Sequence, residues 1–403
     1  MKARGQVSGM AVRPTRARVE FTCVYRLFVI GADFSRPAGL PLGNELFSLV
    51  LAEAARDREP YFAELLRDEA ERYRLYTERT TGRVLKADEL ELEQFMSFLD
   101  TEHALGFTGG ETFSDQGNKA QLLIRYLIAK VLYRLQRRMP ADARNLYDDF
   151  ASHLDPGDWI LTFNYDTILE DALARAKKPV RLVPARYKAV DEWGATYADD
   201  DTDVVVLKMH GSIDWFRKDH YKRNLRYRRR AGLADPPRDA VFNNPPVKPE
   251  PLVRGPYWRT SHLRNVYRAR NFAAYFEQAI PLLDPPFLIS PSYSKALYLP
   301  QFGDFWRDID SIGSTNGTLA IIGYSLPAYD EYVRQALYAA VRNFQHYDTG
   351  DIVPKTKLKL VDYRQTPSDQ DLYRETYRFV DWARAGAHFE GFSRDAIRML
   401  FAA

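Results

Sequence analysis

Short runs of consecutive apolar residues alternate along this chain with longer stretches whose apolar positions recur at helical spacing. Val24 to Ile30, Asp158 to Phe163, Val180 to Val183, Val204 to Met209, Phe287 to Ser290, Leu319 to Ile322 and Lys357 to Val361 read as strands. Runs that are apolar on successive residues suit strands covered on both faces. Between them, Asn44 is a plausible N-cap for a helix over Glu45 to Ala55, and residues 61–150 read almost wholly as helix. Within that stretch Gln121 to Leu135 is apolar on most sides. Further helices are predicted from Thr167 to about Ala176 and over Asn265 to Ile280, Tyr329 to Asn343 and Asp369 to Ala383. Alternating strands and helices predict an α/β fold: a Rossmann-like, mostly parallel sheet flanked by helices, with residues 61–150 as an inserted helical lobe. Residues 216–264, dense in Pro, Arg and Tyr, read as an irregular basic insertion that covers a site.

Several strands run out into side chains that a core would exclude. Asn164 and Asp166 follow Ile160, Leu161 and Phe163; His210, Gly211 and Ser212 follow Val204 through Leu207. Open α/β sheets bind ligands beyond the carboxyl ends of their strands, which suits a small-molecule site here. Local structure explains the same residues: Asp166 as a cap for the helix beginning near Thr167, His210 as a core histidine packed against Trp215. The loop from Phe28 to Gly43 holds Gly31, Ser35, Gly39 and Gly43 near a helix start, where exposed amides can hold a pyrophosphate. It matches neither GxGxxG nor GxxxxGK, and a plain turn fits it as well. Gly323 and Ser325 follow another buried strand, and Asp362 ends the next, where an acid can bind ribose hydroxyls or simply face solvent.

Composition narrows the class. At 403 residues, 45% hydrophobic and 28% charged, the chain can bury a full core. No run approaches the ~18 apolar residues of a membrane span. Residues 1–20 are basic without an apolar segment, so a flexible tail is expected rather than a secretion signal. A single cysteine, Cys23, excludes an internal disulfide and a multi-thiolate zinc site, and a cytoplasmic protein without a metal is the expectation. A net charge of +3 gives no overall argument for nucleic acid, yet Arg217 to Arg230 carries eight Lys or Arg residues and one carboxylate. Tyr221 and Tyr227 within it suit base stacking; a solvated insertion or a subunit contact explains the run equally.

Taken in order, the segments GADFSRPAGLPLGNEL, LTFNYDTILE, LKMHGSIDW, ISPSYSK and IIGYSLPAYD, together with Asp362, resemble the sirtuin-like (silent information regulator) superfamily, particularly its bacterial NAD-hydrolysing branch associated with phage defence. The resemblance implies an NAD-binding domain over residues 21–403. By the same resemblance Asn164 contacts the nicotinamide ribose and positions an attacking water, Asp166 supports that loop, and His210 is the catalytic base. Gly31, Ala32, Asp33 and Ser35 fall on the dinucleotide loop, Gly323 and Ser325 on the later ribose-binding turn, and Asp362 where the adenosine end is held. Asp33 departs from the pattern, which commonly has glycine there: its carboxylate would repel a pyrophosphate or else accept backbone hydrogen bonds within the loop.

The expected activity is hydrolysis of the nicotinamide N-glycosidic bond of NAD, as substrate, to nicotinamide and ADP-ribose. NAD-dependent protein deacylation is an alternative, weakened because the familiar deacylases carry a four-cysteine zinc module. A non-catalytic nucleotide sensor or assembly protein is another. The resemblance further implies a restrained homo-oligomer released by an ATPase translocase or a phage-derived trigger.

Overall fold

The computed structural model describes residues 25–402 apart from 58, 87–88, 108–113, 115, 185–186, 192–193, 198–201, 235–240, 244, 254–260, 279–283, 307–312 and 347–353. The basic tail and Cys23 lie outside these residues. Seven strands form the main sheet: β1 (Arg26–Ile30), β2 (Trp159–Thr162), β3 (Val180–Arg181), β6 (Val204–Lys208), β11 (Thr318–Ile322), β12 (Leu358–Val361) and β13 (Ala385–His388). Their spatial order is β13-β12-β11-β1-β2-β6-β3, and every neighbouring pair is parallel. The remaining strands are a hairpin of β4 (Tyr187–Asp191) with β5 (Gly194–Tyr197) and a second, antiparallel sheet in the order β10-β7-β9-β8. In that sheet β7 is Gly211–Arg217, β8 Pro249–Pro251, β9 Val266–Ala269 and β10 Pro286–Leu288.

Strand side chains alternate, so each main-sheet strand feeds two cores. Phe28 and Ile30 of β1 pack with the helices of one face, while Leu27 and Val29 pack on the other with Leu161, Leu207, Leu319 and Leu360. The first face is covered by α1 (Gly43–Arg56), α2 (Tyr61–Thr81), α3 (Leu92–Leu105), α4 (Lys119–Gln136), α5 (Ala141–Ser152) and α6 (Ile168–Arg175), with α12 (Arg394–Phe401) behind β12. The second receives α10 (Glu331–His346) and α11 (Pro367–Thr376). α7 (Lys218–Arg230), α8 (Ala273–Gln278) and α9 (Gly303–Trp306) complete the α-helices among the described residues. This is the Rossmann-like architecture that the pattern predicts, with α2–α5 inserted after the first strand-helix unit. α4 is buried on most sides because it packs against α1 as well as β7 and β10 of the second sheet.

Four expectations are corrected. Residues 216–264 are not uniformly irregular: β7 runs through Arg217, and the arginine-rich run continues as α7. The helix expected over Asn265 to Ile280 is β9 followed by the shorter α8, because Val266 to Ala269 pairs with both β7 and β8. The strand near Phe287 joins the second sheet rather than the main one. The helix expected over Asp369 to Ala383 ends at Thr376, and β13 follows as an edge strand too poor in apolar residues to announce itself. In the second sheet, prolines are confined to the edge strands β8 and β10, where a missing amide donor is tolerated.

Main-sheet connections run outward from β1 to β2 and β6 on one side, then return to β11 and β12 on the other. The topological switch point lies between β1 and β11. Gly31 and Gly323 follow those two strands.

Candidate functional site

A cleft of about 1310 Å³ opens at the carboxyl ends of β1, β2, β6, β11 and β12. It exceeds the roughly 300–1,000 Å³ of a small-molecule pocket and has room for a dinucleotide. Of the residues singled out from sequence, Ala32, Asp33, Asn164, His210, Gly323, Ser325 and Asp362 line it. Gly31, Ser35 and Asp166 lie behind the wall, buried, and act through their neighbours.

The floor is made where two glycine turns interlock. The Gly31 amide bonds the Ile322 carbonyl at 2.9 Å, and the Asp33 amide bonds the Gly323 carbonyl at 3.1 Å. A Cβ on Gly31 would stand 2.5 Å from the Gly323 oxygen, and one on Gly323 2.5 Å from the Phe34 nitrogen. Gly323 also holds φ at +64°, the left-handed region that glycine enters at least cost.

Asn164 is fixed from below. Its Nδ2 donates to the Gly31 carbonyl at 2.9 Å and to Ser35 Oγ at 3.1 Å. The carbonyl partner settles which end of the amide is nitrogen, and leaves Oδ1 as an acceptor for a water or a sugar hydroxyl. Ser35 Oγ in turn donates to Asp166 Oδ2 at 2.8 Å, while Asp166 Oδ1 accepts the Ile168 amide at 3.0 Å at the start of α6. Asp166 thus accepts one amide at the start of α6 and contacts, in Ser35, the side chain that holds Asn164. Beneath it, Lys208 is buried with its ammonium donating to the Asp166 carbonyl and paired with Glu170 at 2.8 Å. Reading the sequence missed Lys208, whose place at the end of the VVVLK strand was its signal.

His210 sits in the turn between β6 and β7. Gly211 follows it with φ at +83°, and a Cβ there would also meet the Phe287 oxygen at 2.1 Å, so both the backbone conformation and the close approach require glycine. The imidazole packs edge-on to Phe163 at 5.0 Å and is buried. Burial, then the positive charge of Lys295, lowers its pKa to about 3, with Asp330 and a backbone hydrogen bond at Phe163 working the other way. The ring is neutral. Its Nε2 lies 2.6 Å from the Tyr332 hydroxyl, so with the other nitrogen's proton engaged by the Phe163 backbone, Nε2 accepts from Tyr332.

A second buried group in the wall was not singled out, although ISPSYSK and IIGYSLPAYD contain it. Lys295 pairs with Asp330 Oδ1 at 2.6 Å, and the Tyr324 hydroxyl donates to Asp330 Oδ2 at 2.7 Å. The ammonium lies 4.8 Å from the centre of the Tyr329 ring. All four residues line the cleft.

At the opposite end stand two acids. Burial pushes the Asp362 carboxyl up to about 6, against the pull of Arg364, whose Nε is 3.0 Å away; the charge of Asp33 adds to the rise. Burial also raises Asp33, opposed by Arg364 and Arg36. Asp33 Oδ2 is buried without a hydrogen-bond partner. The carboxylate at the departing position thus accepts no backbone bonds through Oδ2; it is balanced electrostatically by two arginines that also line the cleft. No cluster of three or more His, Cys, Asp or Glu residues suited to a metal occurs among the described residues, and no helix there is long and apolar enough to cross a membrane.

Comparison with known proteins bears on part of this cleft. A family model described as "SIR2-like domain" matches residues 158–242, a segment that contains Asn164, Asp166, Lys208 and His210. The chain is also similar to a solved structure described as "The Structural basis of Sirtuin Substrate Affinity", at 11% identity over 93% of this chain and 92% of that one, with a TM-score of 0.35. No curated protein matches the chain. What the family model supplies is a distant SIR2-like signature on the segment that spans β2, β6 and the turn holding His210.

Proposed function

We propose that this protein cleaves the nicotinamide N-glycosidic bond of NAD with water, giving nicotinamide, ADP-ribose and a proton. The observation that carries the reading is the convergence of Asn164 and His210 on one cleft whose floor is two interlocked glycine turns and whose opposite end holds Asp362. Nicotinamide leaves from NAD as a neutral group from a cationic ring, so the site has little acid work to do. It must orient the ribose, stabilise developing oxocarbenium character and admit water from the opposite face. Asn164, with both amide hydrogens already committed, offers its oxygen to the ribose or the water. A histidine held near 3 is neutral throughout physiological pH but a weak base, so its part is to accept a hydrogen bond from a ribose hydroxyl or the water rather than to store a proton.

The test is a time course of purified protein with NAD, resolving nicotinamide, ADP-ribose and any cyclic product. Release of nicotinamide without an acyl-peptide supports hydrolysis; strict dependence on an acyl-peptide makes the protein a deacylase instead. His210→Ala is expected to lower turnover by about 10²-fold or more, and wild-type turnover in that variant removes the assigned role.

One observation favours a second reading, a site silent until triggered: the nitrogen that His210 would offer to substrate is taken by Tyr332. Tyr332→Phe would then turn over NAD faster than wild type, whereas unchanged or slower turnover leaves the first reading. The resemblance of the motifs supports a finer setting for either, in which residues 21–403 act in the cytoplasm to deplete NAD during phage infection, as a homo-oligomer restrained until an ATPase translocase or phage component releases it.

A further inference from the structure

α7 lies outside the cleft and is the most strongly charged element among the described residues. One side of it is anchored: His220, Tyr221 and Asn224 are buried, Tyr221 packs 5.5 Å from Phe242, and Asn224 Nδ2 lies 2.9 Å from His220 Nε2. The other side carries Lys222, Arg223, Arg226, Arg229 and Arg230, all exposed. At 3.6 residues per turn these five cations fall within an arc of roughly 120° and extend along the axis by about 12 Å. Tyr227, 55% exposed, stands at the margin of that arc. The one carboxylate of α7, Asp219, sits at its N-terminal end, 2.5 Å from Arg217 and 3.8 Å from Arg223. Lys222, Arg226 and Arg230 make no ion pair among the described residues.

The stability of the helix does not require this arrangement. Cations in the last turn complement the helix dipole, which accounts for Arg229 and Arg230. It does not account for Lys222 and Arg226, which stand further up. Lys222 with Arg226 and Arg226 with Arg230 are like-charge neighbours at i, i+4, each costing a few tenths of a kcal/mol. A polyanion laid along the arc reverses that repulsion. The exposed aromatic at the margin distinguishes among polyanions, because a flat π face suits an unstacked base and does nothing for an acidic peptide.

We propose that this face of α7 binds the sugar-phosphate backbone of single-stranded nucleic acid, with Tyr227 stacking on a base. The expectation drawn from the sequence placed Tyr221 beside Tyr227 in that role; Tyr221 is buried against Phe242 and is removed from it.

The experiment is fluorescence anisotropy of the full chain with labelled single-stranded DNA and RNA of about 20 nucleotides, and with a duplex of the same length, between about 50 and about 200 mM salt. Single strands are expected to bind more tightly than the duplex, with log affinity falling linearly against log salt. Replacing Lys222, Arg226 and Arg230 together by alanine is expected to weaken binding at least about tenfold and flatten the salt slope by about 2, as three lost phosphate contacts require. Tyr227→Ala is expected to weaken single-strand binding about fivefold or more while leaving the slope in place. These exposed positions permit folding to be checked by matching thermal melts, and NAD cleavage is a separate readout that they leave unchanged. The proposal is overturned by any of four results: no single-strand binding at about 50 mM salt, unchanged affinity in the triple variant, a neutral Tyr227→Ala, or displacement by poly-glutamate as effective as by unlabelled strand.

Discussion

Burial pushes His210 and Asp362 toward their uncharged forms, and the two respond oppositely to pH. With its folded pKa near 3, His210 leaves the unfolded chain holding more protons between that value and the usual 6.5, so acidification through this window destabilises the protein. Asp362, raised from 3.8 to about 6, does the reverse: the folded state holds the extra proton between those values, and the penalty for a buried charge is fully present only above about 6. Asp362→Asn keeps the shape and removes that charge. The variant is expected to melt higher than wild type near pH 7.5, by an amount worth up to about 3 kcal/mol, with the difference gone below 3.8. Equal melting temperatures across this range would show the carboxylate to be well solvated. At this scale the sequence was readable where a polar residue interrupts an apolar run, as Asn164, His210 and Asp362 do. It was unreadable for Tyr332, Lys295 and Asp330, because each is an ordinary residue in its own segment and gains meaning only when strands far apart in sequence bring it to His210 or to one another.

Elements β2, β6 and α6 are held together under the cleft by one buried cation. Lys208, at the end of β6, satisfies the Asp166 carbonyl and pairs with Glu170 on α6, so the loop carrying Asn164 rests on it. Removing one partner of a buried pair leaves the other charge uncompensated, a loss of about 3–5 kcal/mol. Lys208→Met is therefore expected to lower the melting temperature sharply, and Glu170→Gln in the same chain to restore part of it. Chemical denaturation of the single and double variants measures this; a single variant as stable as wild type would mean that Glu170 finds another partner. The main-sheet strands β1, β2, β6, β11 and β12 were legible as elements because both of their faces are buried and their apolar runs are continuous, whereas the edge strand β13 was not. The second sheet was legible only in part: β10 was read as a strand near Phe287, but β8 is three residues long with two prolines, and β9 reads as the start of a helix until β7 is there to pair with it.

For the whole molecule, the cleft joins the ends of five neighbouring strands, so a ligand bound along it couples to global stability. A ligand that binds only the folded chain stabilises it by about 2.7 kcal/mol at a hundredfold excess over its dissociation constant. On the proposed function, Asp33 would set how large that effect is. It follows β1, raises the pKa of Asp362 at the end of β12, and engages Arg36 and Arg364 electrostatically. On the same reading, an anionic pyrophosphate entering the cleft would compete with Asp33 for the same two arginines. Asp33→Gly removes the competitor and adds no bulk to a crowded turn, where Gly323 already approaches the Asp33 Cβ closely. We expect the variant to bind ADP-ribose about tenfold more tightly, about 1.4 kcal/mol, with the thermal shift at fixed ligand rising accordingly. Weaker binding would instead make Asp33 a ligand contact in its own right, holding a sugar hydroxyl alongside Asp362, and would turn the departure from glycine into a selective feature of this cleft.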